Sequence, residues 1–125
     1  MLAVALTAAL ATACPFAGER PMIEAELFFG RDIQGHGIVS EAQWADFADQ
    51  VLAPAFPAGF TVEDASGSWR DGAGRMVHEP TKVVVVTISR GPTLAGKLRG
   101  VIGAYRMRFR QQSVGLVSRA VCAAF

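Results

Sequence analysis

The sequence predicts a ferredoxin-like α+β domain: a βαββαβ two-layer sandwich, with a four-stranded antiparallel sheet carrying two helices on one face. Three observations lead there. Segments with a period of two and segments with a helical period follow one another as strand, helix, strand, strand, helix, strand. The middle strands are separated only by "DGAG", the kind of short turn a hairpin needs. Val83 to Val86 are apolar on both faces, which suits a central strand.

The first strand is expected over 22–31, "MIEAELFFGR", where Ile23, Ala25, Leu27 and Phe29 alternate with Glu24, Glu26 and Phe28. Gly30 and the loop "DIQGHG" end it. The helix "SEAQWADFADQVLAPAF" opens with Ser40 and Gln43, the capping-box spacing. Trp44, Phe47, Ala48, Val51 and Leu52 recur at helical spacing as one apolar face, and Pro54 and Pro57 are expected to stop it.

"FTVEDASGSWR" alternates again. Asp71-Gly72 and Ala73-Gly74 offer the positive-φ residues of a turn, and the chain returns through "RMVHEPTKVVVVTIS". Pro80 lacks a ladder donor, so a bulge or an edge position is expected beside it. In "PTLAGKLRGVIGAYRMRFRQQ", Thr93 is the expected N-cap, and Leu94, Leu98, Val101, Ile102, Tyr105 and Phe109 form the buried face. Gly96, Gly100 and Gly103 mark either a close backbone approach or a weak helix. "SVGLVSRAVCAAF" is the last strand.

The chain has 125 residues, room for one domain. Its opening, "MLAVALTAALATAC", is uncharged and apolar and reaches the small-x-small run Ala11-Thr12-Ala13. Thirteen such residues are too few to span a bilayer, which takes about 20, but they suit the apolar core of an export signal. The expected organisation is a signal peptide over 1–13 and a single domain over 14–125, exported to the periplasm or beyond. A basic residue ahead of the apolar run, usual in such signals, is absent.

Two cysteines, Cys14 and Cys122, leave two readings open. Cys14 could be lipidated after a loose lipobox, which would anchor the protein to a membrane, with Cys122 a free thiol. Alternatively the two pair as a disulfide in an oxidising compartment. The formal net charge of +1 gives no global field for nucleic acid. Up to Asp64 there are nine acidic and two basic residues, and from Ala65 two acidic and ten basic. Two faces of one fold that attract each other account for that split.

No catalytic motif stands out. "GRDIQGHG" has His36-Gly37 where a phosphate loop needs Lys and Ser or Thr, so it reads as a Gly-rich turn. His36 and His78 are far apart, no metal spacing occurs, and no metal or cofactor is expected. Arg99, Arg106 and Arg110 align as a solvated stripe of the second helix, while Lys97 and Arg108 border its apolar face. The stretch "SWRDGAGRMVHEPTK" gathers the polar residues that a site would use. Trp69, Glu79 and Lys82, with Arg31 from the first strand, are the expected ligand-binding set. Arg70 and Arg75 read better as protection against edge-to-edge pairing. In an enzyme, Glu79 would be the general base and Arg31 or Lys82 would stabilise an anion.

Several pieces in order, "CPFAGERPM", "AELFFGRDI", "VSEAQWADF", "FPAGFTVEDASGSWRD", "GRMVHEPTKVVVV", "AYRMRFRQQSV" and "VCAAF", resemble a small exported bacterial family, domain-of-unknown-function family 3574, over residues 14–125. The resemblance implies an envelope location and favours the Cys14–Cys122 disulfide. It implies no reaction. "QQSV" departs from the acidic residue that relatives tend to carry before the Ser, at Gln112 here. The expectation is therefore a non-enzymatic binding or interaction module, a homodimer contacting a small polar ligand or an envelope protein. Phe28, Val83 and Val85 are expected on an open sheet face too apolar to leave in water.

Overall fold

The computed structural model describes residues 13–125, so the expected signal segment lies outside the described residues but for Ala13. Strand β1 (Arg20–Gly30) leads to helix α1 (Glu41–Phe47), which continues through a π-helical segment (Ala48–Leu52) into a last turn, α2 (Ala53–Ala55). Then follow β2 (Thr61–Arg70), β3 (Met76–Ile88), helix α3 (Leu94–Phe109) and β4 (Gly115–Ala123). The sheet order is β2-β3-β1-β4 with every neighbour antiparallel, the ferredoxin-like arrangement the sequence predicts.

Alternation assigns the two faces of the sheet. Ala25, Leu27 and Phe29 of β1 and Val84 and Val86 of β3 are fully or almost fully buried under the helices. Glu24, Glu26 and Phe28, with Val83 and Val85 opposite, point to the other face. Among the described residues no helix covers that face, and Phe28 remains 37% exposed. Under the helices an aromatic cluster forms the centre of the core. Tyr105 meets Phe29 at 4.8 Å, Phe109 at 4.9 Å and Phe47 at 5.1 Å between ring centroids, in edge-on or tilted arrangements that suit ring quadrupoles.

The Ser40–Gln43 capping box is present in both directions. Pro54 does not stop the helix. It sits inside α2, directly after the π-helical segment, whose wider turn accommodates a ring that would clash in a regular helix. The stop comes from Pro57, which disfavours helical backbone at the residue before it, and Phe56 has left the helix at φ −125°, ψ 66°. Thr93 stands at the N-cap position of α3, but its side chain makes no capping bond. Gly96, Gly100 and Gly103 face open space, so no backbone approaches them and the weak-helix reading applies.

The hairpin turn needs one positive-φ residue, Gly74 at 77°, rather than the two pairs expected. Asp71 N–H donates to Arg75 O at 2.9 Å, and Gly74 N–H to Asp71 O at 3.0 Å. Pro80 causes no bulge, because the β2–β3 register runs unbroken through Ser66↔Pro80. Its carbonyl accepts from Arg31 N–H at 2.9 Å, just past the end of β1, so its missing donor faces a place where no ladder continues.

Cys14 and Cys122 form a disulfide with Cα atoms 5.6 Å apart, closing a separation of 108 residues. A loop of that length contributes on the order of 4 kcal/mol in the chain-entropy account. It indicates an oxidising, non-cytoplasmic compartment. No helix among the described residues is long and apolar enough to cross a membrane. Pairs between the acidic first half and the basic second half, Lys82 with Glu41 and Asp64 and Arg119 with Glu24 and Glu26, fit the charge split of the sequence.

Candidate functional site

The sheet separates the four expected binding residues into two groups. Lys82 lies opposite Phe29 in the β1–β3 register and therefore on the helix-covered face. Its side chain, only 5% exposed, donates to Asp64 Oδ1 at 2.5 Å and Glu41 Oε2 at 2.8 Å. Arg31 completes this network through Glu41 Oε1 at 2.8 Å and donates from Nε to Val39 O at 2.9 Å. The hydrogen bond from Lys82 holds the Glu41 and Asp64 carboxyls below their usual values, against a smaller opposing effect of desolvation. Burial pulls the Lys82 ammonium down, but its two carboxylate partners together outweigh that and leave it raised.

Trp69 and Glu79 meet on the open face. Trp69 Nε1 donates to Glu79 Oε1 at 2.6 Å, and the backbone N–H of Asp32 donates to Glu79 Oε2 at 2.8 Å. Both partners are neutral donors. Among the described residues, no Lys, Arg or His nitrogen lies within 4.0 Å of the Glu79 carboxylate. Arg31 and Lys82 thus do not join Glu79, and the arrangement drawn for an enzyme, a carboxylate base beside a cation, is not assembled here.

A concavity of about 770 Å³ opens beside the pair, lined by residues that include Phe28, Asp32, Trp69, Glu79, Gln111 and Gln112. Three glycines border it, and each makes room for a neighbouring side chain. A Cβ on Gly30 would overlap the Glu79 carboxylate, one on Gly67 would come within 2.6 Å of Thr81 Oγ1, and one on Gly115 would sit 3.3 Å from the Phe28 ring. Three strands therefore carry glycine where they border the same hollow.

The rim is fixed by local bonds. Asp71 accepts from the backbone N–H groups of Arg75 and Ala73, each at 2.9 Å, and pairs with the Arg75 guanidinium at 3.1 Å. The bond from the Arg75 N–H leads the causes that hold its carboxyl low. Arg70 donates to Gly74 O at 2.9 Å, so both hairpin arginines support the turn. On the opposite rim, α3 ends at Arg110 in left-handed backbone, φ 52°, and Gln111 then donates from Nε2 to Asp32 O at 2.8 Å. Tyr105 reaches Gly30 O at 2.8 Å from the core side, and burial pushes its phenol well above the usual value of 10.

Sequence reasoning brought out Trp69 and Glu79 but missed Gly30, which makes room for the Glu79 carboxylate, and Gly67 and Gly115, which make room for Thr81 and Phe28. It also missed Glu41 and Asp64, the true partners of Lys82. Strand parity was the available signal: Glu79 and Lys82 are three residues apart on one strand and so must face opposite ways.

Comparison with known sequences gives the family. The sequence model described as "Protein of unknown function (DUF3574)" matches residues 24–125. The chain belongs to the DUF3574 family. No curated protein matches it. Among solved structures, the chain is similar in fold to a phage SAM lyase in complex with S-methyl-5'-thioadenosine, with TM-score 0.65 and 14% identity over 83% of this chain and 90% of that one. The apo state of a phage SAM lyase matches with TM-score 0.62 and 14% identity, over 92% of this chain and 97% of that one. At that identity the likeness concerns the fold.

Proposed function

We propose that this DUF3574 domain is a non-enzymatic binding module, exported to an oxidising compartment of the cell envelope, that takes a small polar ligand into the open-face hollow beside the hairpin. The observation that supports it most is the Trp69–Glu79 pair set beside the bordering glycines. The glycine at position 30 lets the Glu79 carboxylate lie directly against β1, and Gly67 and Gly115 likewise let Thr81 and Phe28 pack close, all at the border of the hollow. Its volume of about 770 Å³ falls in the range of ligand pockets, roughly 300–1,000 Å³. Aromatic, amide and carboxylate groups converge there, the usual mixture for holding a polar organic molecule.

The similar phage enzyme is described with S-methyl-5'-thioadenosine bound, which makes nucleoside-sized molecules the first to test. Of the two tryptophans, Trp69 lines the hollow and Trp44 is buried in the core, so a ligand-induced change in emission that depends on Trp69 reports on the hollow. Titration with S-methyl-5'-thioadenosine and a panel of small polar metabolites is expected to give a saturable change that Trp69→Phe removes. No saturable change and no rise in melting temperature with any of them would refute the reading.

The enzyme alternative, with Glu79 as general base and Arg31 or Lys82 as anion stabilisers, has less support because neither cation is near Glu79. A lipid anchor on Cys14 also has less, since a sulfur bonded to Cys122 is not free for thioether formation. One further feature of the open face favours a homodimer as a second reading. Phe28, Val83, Val85 and Val117 are apolar residues on that face, with Val117 48% exposed, while Glu26 stands between Val85 and Val117. Light scattering at micromolar concentration would give twice the monomer mass if it is right, and a strict monomer would dispose of it.

A further inference from the structure

We infer that the ligand of the open-face hollow is an organic cation, an alkylated ammonium whose charge is met by Glu79 and whose methyl surface lies on Trp69. The inference rests on the reading of the hollow as a ligand site and adds the chemical class. Its lining carries three carboxylates, Asp32, Asp71 and Glu79, against one guanidinium, Arg75. Arg75 is already committed to Asp71 at 3.1 Å. Glu79 is held only by the Trp69 and Asp32 N–H groups, and no basic side chain among the described residues lies within 4.0 Å of the Asp32 or Glu79 carboxylates.

Each ligand class meets this arrangement differently. An anion would face two uncompensated carboxylates. A neutral molecule would exclude water from Glu79 and return no countercharge, which is unfavourable for an ionised group. A compact alkylated cation supplies the missing charge, and the electron-rich face of an indole attracts it. Trp69 is 36% exposed while its Nε1 is tied to Glu79, so the ring is fixed beside the carboxylate and still open to the hollow. A carboxylate accepts more bonds than the two it makes here, so Glu79 need not release either donor to receive the ligand.

The test compares choline with its neutral isostere 3,3-dimethylbutan-1-ol on the full mature protein, reading Trp69 emission. Choline is expected to bind about tenfold more tightly, a preference that Glu79→Gln abolishes while the cooperative melt of the fold is retained. Equal binding of the two compounds to the wild-type protein would overturn the cation assignment and leave the hollow a ligand site for neutral molecules. Binding of neither, up to tens of millimolar, together with no response to the wider metabolite panel, would overturn both. The wild-type comparison decides the matter even if Glu79→Gln fails to fold.

Discussion

Two groups of charged and polar side chains flank the same sheet, and they are built on opposite rules. On the helix side, Arg31, Glu41, Asp64 and Lys82 form a chain in which every charge meets its opposite, with the Lys82 ammonium nearly sealed from water. On the open side, Glu79 is positioned by two neutral N–H groups and meets no cation among the described residues. A closed network holds the α1 N-terminus and β2 against β3 and has nothing left to offer a ligand. A carboxylate that is oriented but not neutralised is the one still available for binding.

The comparison can be tested from its foundation outward. Reducing the Cys14–Cys122 bond should lower stability by roughly 4 kcal/mol, since it frees a loop of 108 residues, and both faces should loosen together in denaturant melts. Lys82→Ala should affect the helix side alone. Its loss removes a buried stem and leaves Glu41 and Asp64 to water. Because those partners are 67% and 78% exposed, the cost should be only about 1–2 kcal/mol, with Trp69 emission unchanged.

The pH profile sharpens the same contrast. Glu41 and Asp64 have folded values below their usual 4.5 and 3.8, so their contribution is complete at neutral pH and is lost as pH falls below those values. Lys82 is raised above 10.5, so its contribution is complete below that pH and is lost as pH climbs through the raised value. In Lys82→Met, acid and alkaline melts should both lose part of their pH dependence.

Smaller effects on stability are expected on the open side. Glu79→Gln keeps one acceptor oxygen, enough for Trp69 Nε1 or for the Asp32 N–H but not for both, and should cost about 1 kcal/mol while shifting Trp69 emission. Gly30→Ala should cost only about 1 kcal/mol in folding, because the strand's gain from losing a glycine offsets part of the loss of the two hydrogen bonds that the displaced Glu79 end makes. It should nevertheless displace the carboxylate and remove ligand binding, a separation that fluorescence and melting together would reveal.

The fold was legible because periodicity and turn chemistry agree in nearly every element, from the Ser40 capping box to the Val83–Val86 strand. The departures have local physical causes. Pro54 is carried inside a helix because a π turn precedes it, which no residue pattern announces. Trp69 and Glu79 were legible as an aromatic and a carboxylate on one hairpin. Lys82 is grouped with them by closeness in sequence and Arg31 by the expected pairing of the first and third strands; strand parity assigns Lys82 to the other face, and Arg31 turns to Glu41. Glu41 and Asp64 come from distant segments, and only the closed sheet brings them to Lys82. Gly30, Gly67 and Gly115 act through what they lack, so their role becomes visible only once the strands are paired.

The most direct test of this division of labour sets two conservative variants side by side, Glu79→Gln and Lys82→Met, measuring choline affinity by Trp69 emission and stability by thermal melting on each. The account predicts that Glu79→Gln lowers choline affinity about tenfold at a small cost in melting temperature, while Lys82→Met keeps binding and melts lower. If Lys82→Met instead lost binding at unchanged stability and Glu79→Gln bound as the wild type does, the site would lie on the helix side and the account would be wrong.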